Sequence, residues 1–123
     1  MTARQGNSPM CSEACHSDKT MNEFQTEVDA WVQAVGGGYW PPHANMARIA
    51  EEVGELARLI NHQYGPKPKK ATETTQELGE EMADIVFAII CLANSQGIDL
   101  GASLQQVIEK VWDRDRNRYI HPG

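Results

Sequence analysis

Two helical stretches, EEVGEL at 51–56 and ELGEEMADIVFAIICLA at 77–93, constrain this chain most, because each sets acids beside an apolar seam. Met46, Ile49, Val53, Leu56 and Ile60 recur with heptad-like spacing, and so do Leu78, Met82, Ile85, Ile89 and Leu92. Glu52 and Glu55 each stand one residue before a seam position, as do Glu81 and Asp84. At about 100° per residue, acids three apart lie roughly 60° apart around the helix, so each pair can close on one ion. If the two helices pack together, four carboxylates converge at a partly buried edge. At roughly 6 Å and an effective dielectric of about 20, each close pair repels by about 3 kcal/mol. Such a set needs cations, or some of its acids must take up protons.

The 123 residues make one domain with room for a core. Eleven Lys and Arg against 17 Asp and Glu leave a net charge of -6, which disfavours nucleic acid as a partner because phosphates would be repelled. The longest continuous apolar run, 85–93, is far short of a membrane span, and no signal-like segment opens the chain. The expectation is a soluble, cytoplasmic protein.

Residues 1–20 are polar and without apolar period, and are expected to form a flexible, disordered leader ahead of a domain at 21–120. Cys11, Cys15 and His16 there offer three ligands in a spacing unlike a zinc knuckle, and Cys91 lies apart in an apolar helix. Thr20 and Glu23 match a capping box that opens a first helix with Phe24, Val28, Trp31 and Val35 as its stripe, closed by Gly36, Gly37 and Gly38. Tyr39, Trp40, Pro41 and Pro42 form a stiff turn into a second helix near 44–63. Trp40 either covers the bundle end or stacks on a nucleobase. GPKPKKATETT cannot continue a helix; Thr74 and Glu77 then match a second capping box for a helix ending before Gly97. A fourth helix follows Asp99, running to about Arg118 with Leu104, Val107, Ile108 and Val111 on one stripe. The reading is an all-α, four-helix bundle. Because 85–93 is apolar all round, the third helix needs cover on more than one side, which implies an oligomer.

Gly54 and Gly79 interrupt the acid-bearing helices at about 1 kcal/mol each relative to Ala, a cost that close helix approach would explain. Lys110, Arg114 and Arg118 recur at intervals of four near the last helix end. They either complement the helix dipole and pair with Asp113 and Asp115, or clamp phosphate oxygens.

Ligation by carboxylates alone suits a hard cation, Mg²⁺ with Mn²⁺ as substitute. Glu-x-x-His occurs only at Glu13 and His16, so a di-iron bundle is disfavoured. Magnesium among acids with basic residues nearby points to a phosphate-bearing substrate. Glu51 adjoins Glu52 but projects about 100° away, and is the spare carboxylate that can orient an attacking water.

The runs WPPHANMARIAEEVGELARLINHQYG, ELGEEMADIVFAIICLANSQGIDL and KVWDRDRNRY resemble the MazG-like nucleoside triphosphate pyrophosphohydrolases of the all-alpha NTP pyrophosphatase superfamily, over about residues 21–120. The pattern E-E-x-x-E followed by E-x-x-D stands intact as Glu51, Glu52, Glu55, Glu81 and Asp84. The resemblance implies hydrolysis of a nucleoside triphosphate between the α and β phosphates, giving monophosphate and pyrophosphate. It implies Mg²⁺ on Glu52, Glu55, Glu81 and Asp84, with Glu51 as general base. It also implies phosphate contact by Lys110 and Arg114, substrate contact by Asn94, and assembly as a homodimer or homotetramer. Trp40, with Tyr39, Trp31 and His43, is a candidate for the base pocket. House-cleaning of non-canonical or excess nucleotides is the expected role. The alternatives are a phosphoribosyl-ATP pyrophosphohydrolase and, in another class, a non-catalytic acidic helical module that binds metal or a basic partner.

Overall fold

The computed structural model describes residues 16–68 and 78–119, which form four helices and no strand: α1 (Met21–Ala34), α2 (Pro42–Tyr64), α3 (Leu78–Ser95) and α4 (Leu100–Asp115). The all-α, four-helix reading holds. The leader through residue 15, including Cys11 and Cys15, and the second capping box at Thr74 and Glu77 lie outside the described residues.

Local chemistry sets the helix ends. Thr20 Oγ1 accepts from the Glu23 amide at 3.1 Å, and Glu23 Oε1 accepts from the Thr20 amide at 3.1 Å, closing the capping box. These bonds hold the Glu23 carboxyl below its ordinary range. After α1 the amides of Val35 and Gly36 share the Trp31 carbonyl, and Gly37 and Gly38 turn the chain at φ of +78° and +93°. Proline at the first helical position then starts α2 two residues earlier than the sequence implied, because its missing N–H would be unpaired there in any case. Past α3, Ile98 N–H reaches back to the Ala93 carbonyl over Gly97 at φ +65°. Asp99 Oδ1 caps α4 by accepting from the Ala102 amide at 2.9 Å, and α3 and α4 meet at 111°. Helix α4 ends at Asp115, short of the expected Arg118.

Val28, Val32 and Ile90 form the core, with Met21, Tyr39, Cys91 and Leu100 packed around them. Gln25, buried among them, donates from Nε2 to Asn94 Oδ1 (3.0 Å) and to the Ile98 carbonyl (2.9 Å), and its Oε1 accepts from the Leu100 amide (2.9 Å). One side chain thus joins α1, the end of α3 and the start of α4. Asn22 completes the joint through a 2.7 Å bond to Asp99 Oδ1, and it comes so near Gly101 that a Cβ there would stand 2.6 Å from its Oδ1.

Three expectations change. The buried face of α2 is Asn45, Ile49 and Glu52, and that of α3 includes Glu81, Ala88, Ile90 and Ala93. Met46, Val53, Ile60 and Met82, assigned to the seams, are half-exposed. The helices turn their acid-bearing sides towards each other, rotating the buried face by about one residue (100°) from the apolar seam. In α1 the buried residues are Gln25, Val28 and Val32, while Phe24, Trp31 and Val35 are exposed, because polar Gln25 finds partners at all its inward positions. Gly54 and Gly79 do not mark close helix approach within the chain: a Cβ at either would meet nothing within 4 Å.

Helix α4 buries no residue in the chain and leans chiefly on α1. Its stripe of Leu104, Val107, Ile108 and Val111 is 41–52% exposed, with Trp112 at 69%. Among the described residues no single helix is long and apolar enough to cross a membrane.

Candidate active site

Rotation of α2 and α3 towards their acids brings carboxylate oxygens of Glu52, Glu81 and Asp84 within 4.8 Å of one another. Glu81 is 2% exposed and Glu52 8%, whereas Asp84 is open to solvent. Glu55, one turn along from Glu52, is exposed and stands outside this close group; its charge still bears on Glu81. Burial pushes the Glu81 carboxyl above its ordinary range, and the charges of Asp84, Glu52, Glu55 and Glu80 push it further. Glu51 is exposed and also outside the group.

Arg48, one turn before Glu52 on α2, places Nη2 2.8 Å from Glu52 Oε1. A single guanidinium leaves two buried carboxylates and Asp84 with an excess of negative charge. Burying such charge is costly unless a cation compensates it. Oxygens around a six-coordinate Mg²⁺ lie up to about 4.2 Å apart across the ion, and Mn²⁺ or Ca²⁺ accept somewhat more. The three carboxylates therefore fit a hard divalent cation, and small side-chain rotations would close the set. A soft metal finds no sulfur or imidazole in the cluster.

Beside the cluster opens a crevice of about 270 Å³ between the end of α1, the glycine turn, the start of α2 and α3. Trp31, Tyr39, Trp40 and Phe87 supply its aromatic surface. Trp31 and Phe87 brace each other edge to face, with centroids 5.5 Å apart and planes at 71°. Tyr39 is anchored by a 2.6 Å hydrogen bond to Asp29 Oδ1; burial, then this bond, raises its hydroxyl above the ordinary range. Asn45, Arg48 and Asp84 form the polar edge, so the crevice adjoins the acid cluster at Asp84. Cys91 also lines it, its thiol pushed up by burial.

Of the residues nominated from sequence, Glu52, Glu81, Asp84 and Trp40 meet at this one place. Asn94 does not: its Oδ1 accepts from Gln25 and its Nδ2 donates to the Gln25 carbonyl at 2.9 Å, so its amide is engaged in holding α1 to α3. Lys110 and Arg114 lie on α4 and line no part of the crevice. Arg114 forms a two-pronged pair with Asp115 (3.0 and 2.8 Å), and Arg118 adds a bond of 3.2 Å. This pairing lowers the Asp115 carboxyl and raises the Arg114 guanidinium, as the dipole-and-pairing alternative for the basic stripe required. The sequence reading missed Asn45 and Arg48. Both could have been found by following the Glu52 face back through the two preceding turns of α2.

Residues 41–119, which include both acid-bearing helices, match the family model of the MazG nucleotide pyrophosphohydrolase domain. The chain is 48% identical over 103 residues to the YpjD protein of Bacillus subtilis (strain 168), covering 84% of this chain and 93% of that protein. A crystal structure of Bacillus subtilis YpjD superposes with a TM-score of 0.67 at 49% identity, over 77% of this chain and 97% of the other. A Bacillus-conserved MazG protein, described as a nucleotide pyrophosphohydrolase, gives a TM-score of 0.65 at 42% identity, over 77% and 92%. With the acid cluster lying inside a match of this extent, the chain belongs to the MazG nucleotide pyrophosphohydrolase family and is a nucleotide pyrophosphatase.

Proposed function

We propose that this chain hydrolyses (deoxy)nucleoside triphosphates to monophosphate and pyrophosphate by attack of water on the α-phosphate, with Mg²⁺ as its metal. The observation that carries this reading is the cluster of Glu52, Glu81 and Asp84, two of them buried, joined through Asp84 to an aromatic crevice. These three residues, with Glu55 closing from the exposed side, would hold the ion. Bound Mg²⁺ neutralises polyphosphate charge and the charge that grows on the leaving pyrophosphate. Glu51, exposed beside Glu52, orients the water and takes its proton through its own carboxylate. Arg48 faces both crevice and cluster, a position suited to a phosphate oxygen once Glu52 turns to the ion. Trp40, 54% exposed at the crevice, stacks on the base.

The catalytic unit is taken as residues 21–120. We assign it a homodimer or homotetramer, supported by the half-exposed apolar stripe of α4 and by Met46, Val53 and Met82 left open on the outer sides of α2 and α3. In that assembly Lys110 and Arg114 would serve the site of a neighbouring protomer, since they do not line their own. The cellular role would be removal of non-canonical or surplus nucleotides.

The test is release of pyrophosphate and monophosphate from a panel of canonical and modified (d)NTPs, with and without Mg²⁺. Magnesium-dependent formation of both products from one or more of them supports the reading. Phosphoribosyl-ATP belongs in the same panel, and turnover of that compound alone would replace this substrate class. Release of orthophosphate in place of pyrophosphate would overturn the position of attack.

A further inference from the structure

We propose that Asn45 reads the Watson–Crick edge of a pyrimidine base held in the aromatic crevice, and so determines which nucleotide the chain accepts. The pyrophosphatase reading enters only in what is attached to the base.

Asn45 is 5% exposed and lines the crevice. Its Nδ2 donates to the Trp40 carbonyl at 3.4 Å, near the outer limit of a hydrogen bond. Among the described residues no donor meets Oδ1 and no acceptor meets the second Nδ2 hydrogen. Buried side-chain amides are otherwise satisfied, as Gln25 is in this same molecule and as even part-buried Asn94 is. An acceptor and a donor side by side, buried at the wall of an open crevice, are what a carboxamide presents to a ligand carrying the complementary pair.

A nucleobase carries that pair. Cytosine offers its exocyclic amine beside ring N3, and uracil or thymine offers N3–H beside a carbonyl; either can meet the Asn45 amide with two bonds. At about 270 Å³ the crevice lies just below the range of roughly 300–1,000 Å³ usual for small-molecule sites, which favours one ring over two. The braced Trp31–Phe87 pair gives a fixed wall, and half-exposed Trp40 can cover a ring face. Asp84 lines the same crevice, so a base against Asn45 sends its sugar and phosphates towards the acids.

The competing account is that Asn45 merely ties the turn at Trp40 to the first turns of α2. The two differ in what substitution does to the ratio between bases. The experiment takes full-length wild type, Asn45→Asp and Asn45→Ala. It measures kcat/KM for dCTP, dUTP, dATP and dGTP with Mg²⁺, and calorimetric binding of the corresponding monophosphates without metal. Wild type should bind pyrimidine monophosphates roughly tenfold or more tightly than purine ones, because a crevice of this size seats one ring against the amide and keeps a purine from making both bonds. Asn45→Asp keeps the acceptor and loses the donor, so each pyrimidine loses one of its two bonds and the pyrimidine-to-purine ratio should fall at least about tenfold in both measurements. Asn45→Ala should erase the pyrimidine preference. Equal losses for all four bases in either variant, or a purine preference in wild type, would overturn the proposal while leaving the pyrophosphatase reading intact. Failure of wild type to turn over any triphosphate, with pyrimidine-selective binding retained, would strike the pyrophosphatase reading and uphold this one. If Asn45→Asp does not fold, Asn45→Ser replaces it, and an unchanged ratio there overturns the proposal equally.

Discussion

Arg48 and Glu52 face one another across 2.8 Å on the same side of α2, so one of the two buried carboxylates already has a cation before any metal arrives. The guanidinium and a divalent ion compete for that carboxylate. Arg48 is half-exposed and can leave at modest cost, whereas Glu52 is buried in the acid cluster.

Replacing Arg48 by Ala should therefore tighten Mn²⁺ or Mg²⁺ binding by about fivefold, because a partly exposed pair of this kind is worth up to about 1 kcal/mol. The same substitution should raise KM for a triphosphate. Calorimetric titration against the metal alone checks the first effect, and weaker metal binding would show that Arg48 supports the ligand set.

Acidity offers a second check. Glu81 holds its proton more tightly folded than unfolded, so its contribution to stability is complete below the ordinary value of 4.5 and is lost as pH rises through its raised folded value. Asp99 and Asp115 act in the opposite direction, their contributions being lost as pH falls. Metal-free protein should lose thermal stability on the alkaline side of the Glu81 transition, and added Mg²⁺ should raise Tm more at pH 8 than at pH 5. Glu81→Gln should flatten that slope; an unchanged slope would assign the effect to other groups.

Glu52→Gln and Asp84→Asn should each lower turnover by about a hundredfold or more and weaken Mg²⁺ binding while preserving helicity by circular dichroism. Glu51→Gln should leave metal affinity unaltered and slow the chemical step by roughly 10²–10⁴-fold. Among the four ligand carboxylates, Glu55→Gln should have the smallest effect on metal affinity, since Glu55 is exposed and outside the close group.

Open space at Gly54 gives a test that separates the lone chain from its assembly. Gly54→Ala should stabilise the isolated chain by about 1 kcal/mol through helix propensity. Destabilisation instead, read from denaturant melts over a range of protein concentrations, would locate a partner helix against that glycine.

Much of this was legible from residue spacing because local chemistry decided it. The Thr20–Glu23 capping box, the break at the three glycines and the start of α4 after Asp99 depend on neighbours within a turn, and these are as expected. The faces of the helices were less legible. Apolar periodicity located a seam through Met46, Val53 and Met82, yet the chain buries Asn45, Glu52 and Glu81 and leaves that seam half-open. Periodicity measures how much apolar surface seeks cover; it does not tell cover within the chain from cover by another copy. Glu52, Glu81 and Asp84 were recognisable because ion-binding spacing is local on each helix. Asn45 and Arg48 were not, because their importance depends on the crevice formed with α1 and α3. Asn94 was nominated as a substrate contact; the structure places its amide against Gln25, a partner 69 residues away, and beside Tyr39.

Replacing Gln25 by Ala should cost about 3 kcal/mol, since it leaves the Leu100 amide, Asn94 Oδ1 and the Ile98 carbonyl without that partner in a part-buried setting. Urea unfolding checks the magnitude, and a loss under about 1 kcal/mol would show that water replaces those bonds.

The Gln25 joint has a kinetic consequence. The Leu100 amide is at once the first backbone donor of α4 and a ligand of a side chain on α1, so α4 cannot fray from its beginning without disturbing the core around Val28. Hydrogen exchange at that amide should follow cooperative opening of the core rather than end-fraying, making a single backbone proton at the root of an exposed helix a reporter on the whole.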